Sequence, residues 1–226
     1  MPSRVRRAVL SFPALAGLTA VVFVLLGLRA ALGHAGQTFL IWNLFLAWLP
    51  YAAARTMQVL DRRGWTRSGL LLVGVFWLAF LPNAPYLVTD PVHLAIGSQS
   101  PHRLAFDAVL FGVVALLGLL LGVASLALVH ELVERHLGPA VGWTFVTTVS
   151  LATAFGVYLG RVARWNSWAV ATDPRPLLQD IHDRLDVAGP RMTAGVLVFA
   201  VCFLAAYVVL RPGRSTRPRS AARSSG

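Results

Sequence analysis

Six long apolar runs leave this chain of 226 residues few ways to fold. They cover roughly residues 8–29, 38–57, 69–88, 105–129, 140–161 and 192–210. Each reaches the length of about 18 residues that lets a helix cross the hydrocarbon core of a bilayer. In hydrocarbon no water replaces a missing backbone hydrogen bond, so the spanning segments must satisfy their own amides. The expectation is an all-α polytopic membrane helix bundle of six transmembrane helices, with short amphipathic helices in the outer loops. Composition agrees, with 57% hydrophobic and 13% charged residues against about a quarter charged in a soluble domain. The first run resembles a secretory signal, but its apolar core is too long for a signal h-region and no A-x-A site follows, so it reads as helix 1.

The charges set the orientation. All 20 cationic side chains are arginine, which excludes Schiff-base chemistry on a lysine and a P-loop lysine. With the N-terminus inside, thirteen arginines fall on inner segments and seven outside, so both termini are expected in the cytoplasm. The net charge of +11 is therefore a topology signal that implies membrane lipid, and not nucleic acid, as partner. Cys202 is the only cysteine, which rules out an intramolecular disulfide. The expected division is a basic cytoplasmic arm at 1–7, a single transmembrane domain at 8–210 and a disordered basic cytoplasmic tail at 211–226, rich in Arg, Ser and Pro.

One run is interrupted. Pro82, Asn83 and Pro85 fall within it, and Tyr86, Asp90 and His93 follow. The prolines cannot donate to the carbonyls of Leu78 and Leu81, and Asn83 is placed to do so instead. Asp90 before Pro91 has the form of an N-cap for a short outer helix that carries His93 in its first turn. Thr172-Asp173-Pro174 repeats the arrangement before an amphipathic stretch with Leu177, Leu178, Ile181 and Leu185 at helical spacing. Gly118-x-x-x-Gly122 and Gly156-x-x-x-Gly160 mark close helix packing. His130-Glu131-x-x-Glu134 stops short of a zinc H-E-x-x-H and reads as a solvated helix end.

A second polar group, Tyr158, Arg161, Arg164, Trp165 and Asn166, ends the fifth run. If the helix continues, Tyr158, Arg161 and Trp165 share a face. The two arginines, on the side where the positive-inside bias disfavours them, either snorkel to headgroups, pair with Asp90 or Asp107, or bind an anion. Because successive helices alternate direction, Asn43, the 82–93 interruption and the 161–166 group all arrive at the outer rim. Nothing comparable gathers on the inner face. Candidate ligand-binding residues are thus Asn43, Asn83, Tyr86, Asp90, His93, Tyr158, Arg161, Arg164 and Asn166. No metal site is expected; Asp90 and His93 are the residues nearest to one. The sequence names no cofactor, catalytic residue or oligomeric state.

Trp42-Asn43-Leu-Phe-Leu-Ala-Trp48, Phe80-Leu-Pro-Asn-Ala-Pro-Tyr86 with Thr89-Asp90 and His93-Leu94, and Gly156-Val-Tyr-Leu-Gly-Arg161 with Arg164-Trp-Asn-Ser-Trp168 together resemble the DUF1361 family. The resemblance covers roughly helices 2 to 6. It implies a multi-pass bacterial membrane protein of unknown activity and supplies no catalytic residues. Family members tend to read R-W-N-S-W-D, whereas here Ala169 follows Trp168. A polar ligand or lipid-headgroup site at the extracytoplasmic face is the first functional expectation. The alternatives are an enzyme acting on a lipid-linked or periplasmic substrate, a small-solute transporter, and an accessory scaffold. Against a transporter stands the absence of ionisable residues in mid-membrane.

Overall fold

The computed structural model describes residues 3–32, 39–89, 100–163 and 190–211. The helices are α1 (Ser3–Val9), α2 (Phe12–Ala31), α3 (Phe39–Arg62), α4 (Arg67–Phe80), α5 (Asn83–Tyr86), α6 (Pro101–Leu137), α7 (Pro139–Tyr158) and α8 (Pro190–Leu210). No strand occurs among the described residues. Five helical stretches are long and apolar enough to cross a membrane: Phe12–Ala31, Arg67–Thr89, Pro101–Leu137, Pro139–Arg161 and Met192–Leu210. The helix α3 is not among them, since Asn43, Pro50, Tyr51, Arg55 and Gln58 dilute its apolar residues.

The bundle is built around α6. Its 37 residues extend for about 55 Å at 1.5 Å per residue, and α2, α3, α5, α7 and α8 all pack on it. Specific hydrogen bonds set the register. Trp77 Nε1 of α4 donates to Ser125 Oγ at 2.7 Å, and Gln58 Nε2 of α3 donates to the Leu128 carbonyl at 3.4 Å. Trp48 Nε1 ties α3 to Thr19 Oγ1 of α2 at 3.2 Å. Only Leu15 and Val22 are buried along α2, so its apolar surface otherwise faces outward, as a lipid-facing helix requires.

Local chemistry ends the helices where they turn. Ser11 caps α2 by accepting from the Ala14 amide, and Thr66 caps α4 by accepting from Gly69. Gly138 alone joins α6 to α7, at φ 86°, a left-handed conformation that a side chain would strain, and Pro139 starts the next helix at N1. We call the end of the bundle where α1 meets the end of α8 proximal, and the opposite end distal. Arg6 of the basic arm donates to the carbonyls of Val209 and Arg211 there, so the described part of the arm is a helix seated on the bundle. The expected tail beyond 211, the caps at Asp90 and Asp173, and the amphipathic stretch after 174 lie outside the described residues.

The fourth run is longer than 105–129: α6 begins at Pro101 and continues to Leu137, where His130, Glu131, Glu134, Arg135 and His136 are all paired. The apolar stretch of α6 lies between Asp107 and His130, about 33 Å at 1.5 Å per residue, close to the thickness of a hydrocarbon core. Gly118 and Gly122 lie at its middle, and α5 packs on both. The Pro82–Pro85 segment thus sits beside the centre of α6, in line with α4: Trp77 meets Ser125 and Ala84 meets Gly118, seven residues further along each helix.

A Cβ on Gly118 would collide with the Ala84 carbonyl oxygen and stand 2.7 Å from Leu87 Cβ, and one on Gly122 would stand 3.2 Å from Pro85 Cδ. Gly156 of α7 abuts Pro82 in the same way. We expect Gly118→Val to destabilise the protein by about 1–3 kcal/mol through overpacking. Gly112→Ala, where a Cβ meets nothing within 4 Å, should be near neutral. Thermal unfolding of the two variants in detergent checks the contrast.

Candidate functional site

At the interruption the chain keeps a near-helical path, with Leu81, Pro82 and Leu87 at α-helical backbone angles. Leu81 N donates to the Trp77 carbonyl at 2.8 Å, Ala84 N to Leu81 at 3.2 Å and Tyr86 N to Pro82 at 3.0 Å. Asn83 Nδ2 donates to the Phe80 carbonyl at 3.0 Å, not to Leu78 or Leu81 as expected. The reason is local: Leu81's oxygen is taken by the Ala84 amide, and a side chain at position 83 curls back three residues most readily. Thr89 Oγ1 closes the segment by donating to the Tyr86 carbonyl at 2.7 Å.

The facing wall is the end of α7, where Leu159–Ala163 form a π turn. Such turns often accompany functional sites because the extra residue re-aims a side chain. Here the side chain is Arg161. Its Nη2 donates to the Thr89 carbonyl at 2.9 Å, its Nη1 to Tyr86 Oη at 3.3 Å, and its guanidinium stands 5.7 Å from the centroid of the Tyr86 ring. The guanidinium therefore joins α7 to the segment after α5. Trp165, expected on one face with Tyr158 and Arg161, lies outside the described residues. Tyr158 stacks on Phe155, with centroids 6.5 Å apart.

The structure thus brings Asn83, Tyr86 and Arg161 to one place, all half-buried. Asn43 is half-buried on α3, which packs against α5. Among the described residues no hydrogen bond joins it to the other candidates. Asp90, His93, Arg164 and Asn166 lie outside the described residues. Asp107 is not Arg161's partner: Arg29 of α2 grips it with Nε to Oδ1 at 2.7 Å and Nη2 to Oδ2 at 3.0 Å. Among the described residues no group of three His, Cys, Asp or Glu side chains can hold a metal.

A second polar centre, read from sequence as a solvated helix end, is buried at the proximal end. His130 is 1% exposed. Its Nδ1 lies 2.5 Å from Tyr207 Oη, and its Nε2 lies 3.3 Å from Glu134 Oε1. Arg211 Nη2 donates to Glu134 Oε2 at 3.1 Å, and its guanidinium stands 4.9 Å from the Trp143 ring centroid. A Cβ on Gly142 would collide with Glu134, so that glycine opens the space for the cluster. Two spacings of four carried the signal, His130 with Glu134 on α6 and Tyr207 with Arg211 at the end of α8. Neither alone shows that the helices face each other. More exposed, Asp61 of α3 receives Arg135 at 2.8 Å and His136 at 2.7 Å.

Tyr207→Phe removes the hydroxyl that meets His130 Nδ1 and leaves a buried ring nitrogen unsatisfied. A loss of about 1–3 kcal/mol is expected, measured as a lowered unfolding midpoint, whereas the exposed Thr147→Val should leave it almost unchanged.

Residues 42–209 match the model of a family described as "Protein of unknown function (DUF1361)". No curated protein and no solved structure gives a significant match.

Proposed function

We propose, from the premise that the chain belongs to the DUF1361 family, that it is a multi-pass protein of the bacterial cytoplasmic membrane that binds an anionic ligand or lipid headgroup through Arg161. The observation that carries this reading is the delivery of Arg161, by a π turn, to the broken helix beside Tyr86 and Asn83. Arginine keeps its charge in any surroundings and presents donors in a planar fork that fits carboxylate and phosphate. Tyr86 adds a hydroxyl and Asn83 an amide within one turn of each other.

The topology proposed with it has six spans, both termini in the cytoplasm and the distal end outside. Beyond the five apolar helices, α3 contributes 24 residues, about 36 Å at helical rise, and packs along α4 and α6. The excess of arginine on the proximal segments supports that orientation. In a Cys202→Ser background, an Arg63→Cys label should be reached only from the cytoplasm and a His102→Cys label only from outside. The opposite pattern would reverse the assignment.

Binding is tested with purified protein and two probes, inorganic phosphate and nanodiscs of phosphatidylglycerol against phosphatidylcholine. Either phosphate or the anionic lipid should raise the unfolding midpoint of the wild type, and which one does so separates a free anion from a headgroup. The shift should vanish in Arg161→Ala, shrink in Arg161→Lys, and survive in Arg103→Ala. A full shift retained in Arg161→Ala defeats the reading. A transporter of a small anionic solute is the second reading, favoured by the position of the break beside the centre of α6, since transporters bind at broken helices near the midplane. Solute uptake into proteoliposomes separates it from binding alone.

A further inference from the structure

We propose that the turn between α3 and α4 binds an anionic phospholipid, its phosphate held by Arg62, Arg63 and Arg67 and its acyl chains laid along the outer face of α4. The charges point there first. Arg6, Arg29, Arg135, Arg161 and Arg211 each donate to a protein acceptor. Arg62, Arg63 and Arg67 are exposed and make no hydrogen bond or ion pair among the described residues. The nearby acids do not balance them, since Asp61 is engaged by Arg135 and His136, and Glu131 by Arg135. Three guanidinium groups thus stand without counter-charge on one turn, in the planar form that fits phosphate.

Register fixes their depth. Trp77 meets Ser125 and Ala84 meets Gly118, so α4 runs antiparallel to α6. Arg67 stands ten residues before Trp77, level with Arg135 and about 8 Å beyond His130 at 1.5 Å per residue. The bond from Arg135 to Asp61 puts the end of α3 at the same level. The apolar stretch of α6 ends at His130, and the headgroup layer of a bilayer extends about 5–8 Å further. The arginines therefore lie at the depth of lipid phosphates.

From Arg67 inward the same helix face is apolar and uncovered. Leu71, Val75 and Leu78 follow it at spacings of four, four and three, and Leu71 and Val75 are 69% and 67% exposed. Trp65, 55% exposed, lays its ring across the first turn of α4, where a Cβ on Gly69 would stand 2.9 Å from its Cε3. A tryptophan held there suits the boundary between headgroups and chains. Arginines at phosphate depth, continuous with an apolar stripe, match both halves of one amphiphile. A soluble anion would leave the stripe bare. The site is at the proximal end, opposite Arg161, and does not rest on ligand binding there.

The test reads which lipid stands beside α4. In a Cys202→Ser background, a bimane label on Leu72→Cys, an exposed position next to Leu71, is reconstituted in vesicles of equal phosphatidylglycerol and phosphatidylcholine, one or the other carrying brominated chains. Bromine quenches the label on contact, so the two quenching levels give the local lipid ratio. Phosphatidylglycerol should be enriched beside the label about fivefold, the effect of one arginine near an anionic lipid surface. The triple variant Arg62→Gln, Arg63→Gln, Arg67→Gln should bring the ratio to one, while Arg103→Gln and Arg161→Ala leave it unchanged. Contacts at an exposed turn add little to stability, so the triple variant should keep the wild-type unfolding midpoint. Equal quenching by both lipids in the unsubstituted chain, or a preference that survives the triple variant, overturns the site. Loss of the preference in Arg161→Ala would assign the lipid to the distal end, loss on adding inorganic phosphate would make the occupant a soluble anion, and no quenching by either lipid would mean that protein covers α4; each overturns the proposal.

Discussion

Close approach of backbone to backbone at the centre of the bundle is the constraint on which the rest of this structure depends. A helix that breaks within an apolar layer must have its exposed amides and carbonyls covered by protein or by water. Here α5 is seated against Gly118 and Gly122 of α6 and against Gly156 of α7. The three glycines let Pro82, Ala84 and Pro85 lie directly on neighbouring backbone, a contact that even a methyl group would prevent at Gly118. The π turn at the end of α7 carries Arg161, whose guanidinium donates to the Thr89 carbonyl. The arginine is thus both a candidate binding group and a fastening for the chain that leaves the break.

Buried charge is arranged around this centre. Arg29 with Asp107 lies at one end of the apolar stretch of α6, and His130 with Glu134, Tyr207 and Arg211 at the other. Each group attaches a neighbouring helix to α6, α2 at one end and α8 at the other. Buried ion pairs add little net stability over an apolar alternative, yet removing one partner is strongly destabilising. Their effect is therefore to penalise every register in which α2 or α8 is rotated or slid along α6. Packing sets the centre, and charge sets the ends.

Much of the fold was legible because hydrophobic length is a local property. The apolar runs of α2, α6, α7 and α8 mark their helices in one dimension, and Pro82 and Pro85 mark the break. The ends of α6 were not legible for a physical reason. Asp107, His130 and Glu134 look like groups seeking water, and only contacts with α2, α7 and α8 show that they are paired inside the protein. The prolines do not end the span: Leu81, Pro82 and Leu87 keep α-helical backbone angles, and Arg67–Thr89 runs on as one stretch long enough to cross a membrane. The π turn left no sequence signal. Of the candidate site, Tyr86 and Arg161 do meet, a contact between residues 75 apart.

The seating of α5 also bears on which kind of membrane function the break can serve. Alternating access requires the broken element, or the bundle holding it, to exchange neighbours. Leaving its seat would strip Ala84 and Leu87 from Gly118, Pro85 from Gly122 and Pro82 from Gly156 together, because one short helix makes all three contacts. It would also detach Arg161 from Thr89 and Tyr86, exposing a carbonyl and a guanidinium to the apolar layer. Unpaired polar groups in that setting are costly. Motion confined to the half-buried side chains of Asn83, Tyr86 and Arg161 carries none of these losses. The proposed binding at Arg161 therefore needs no movement of α5 from its seat.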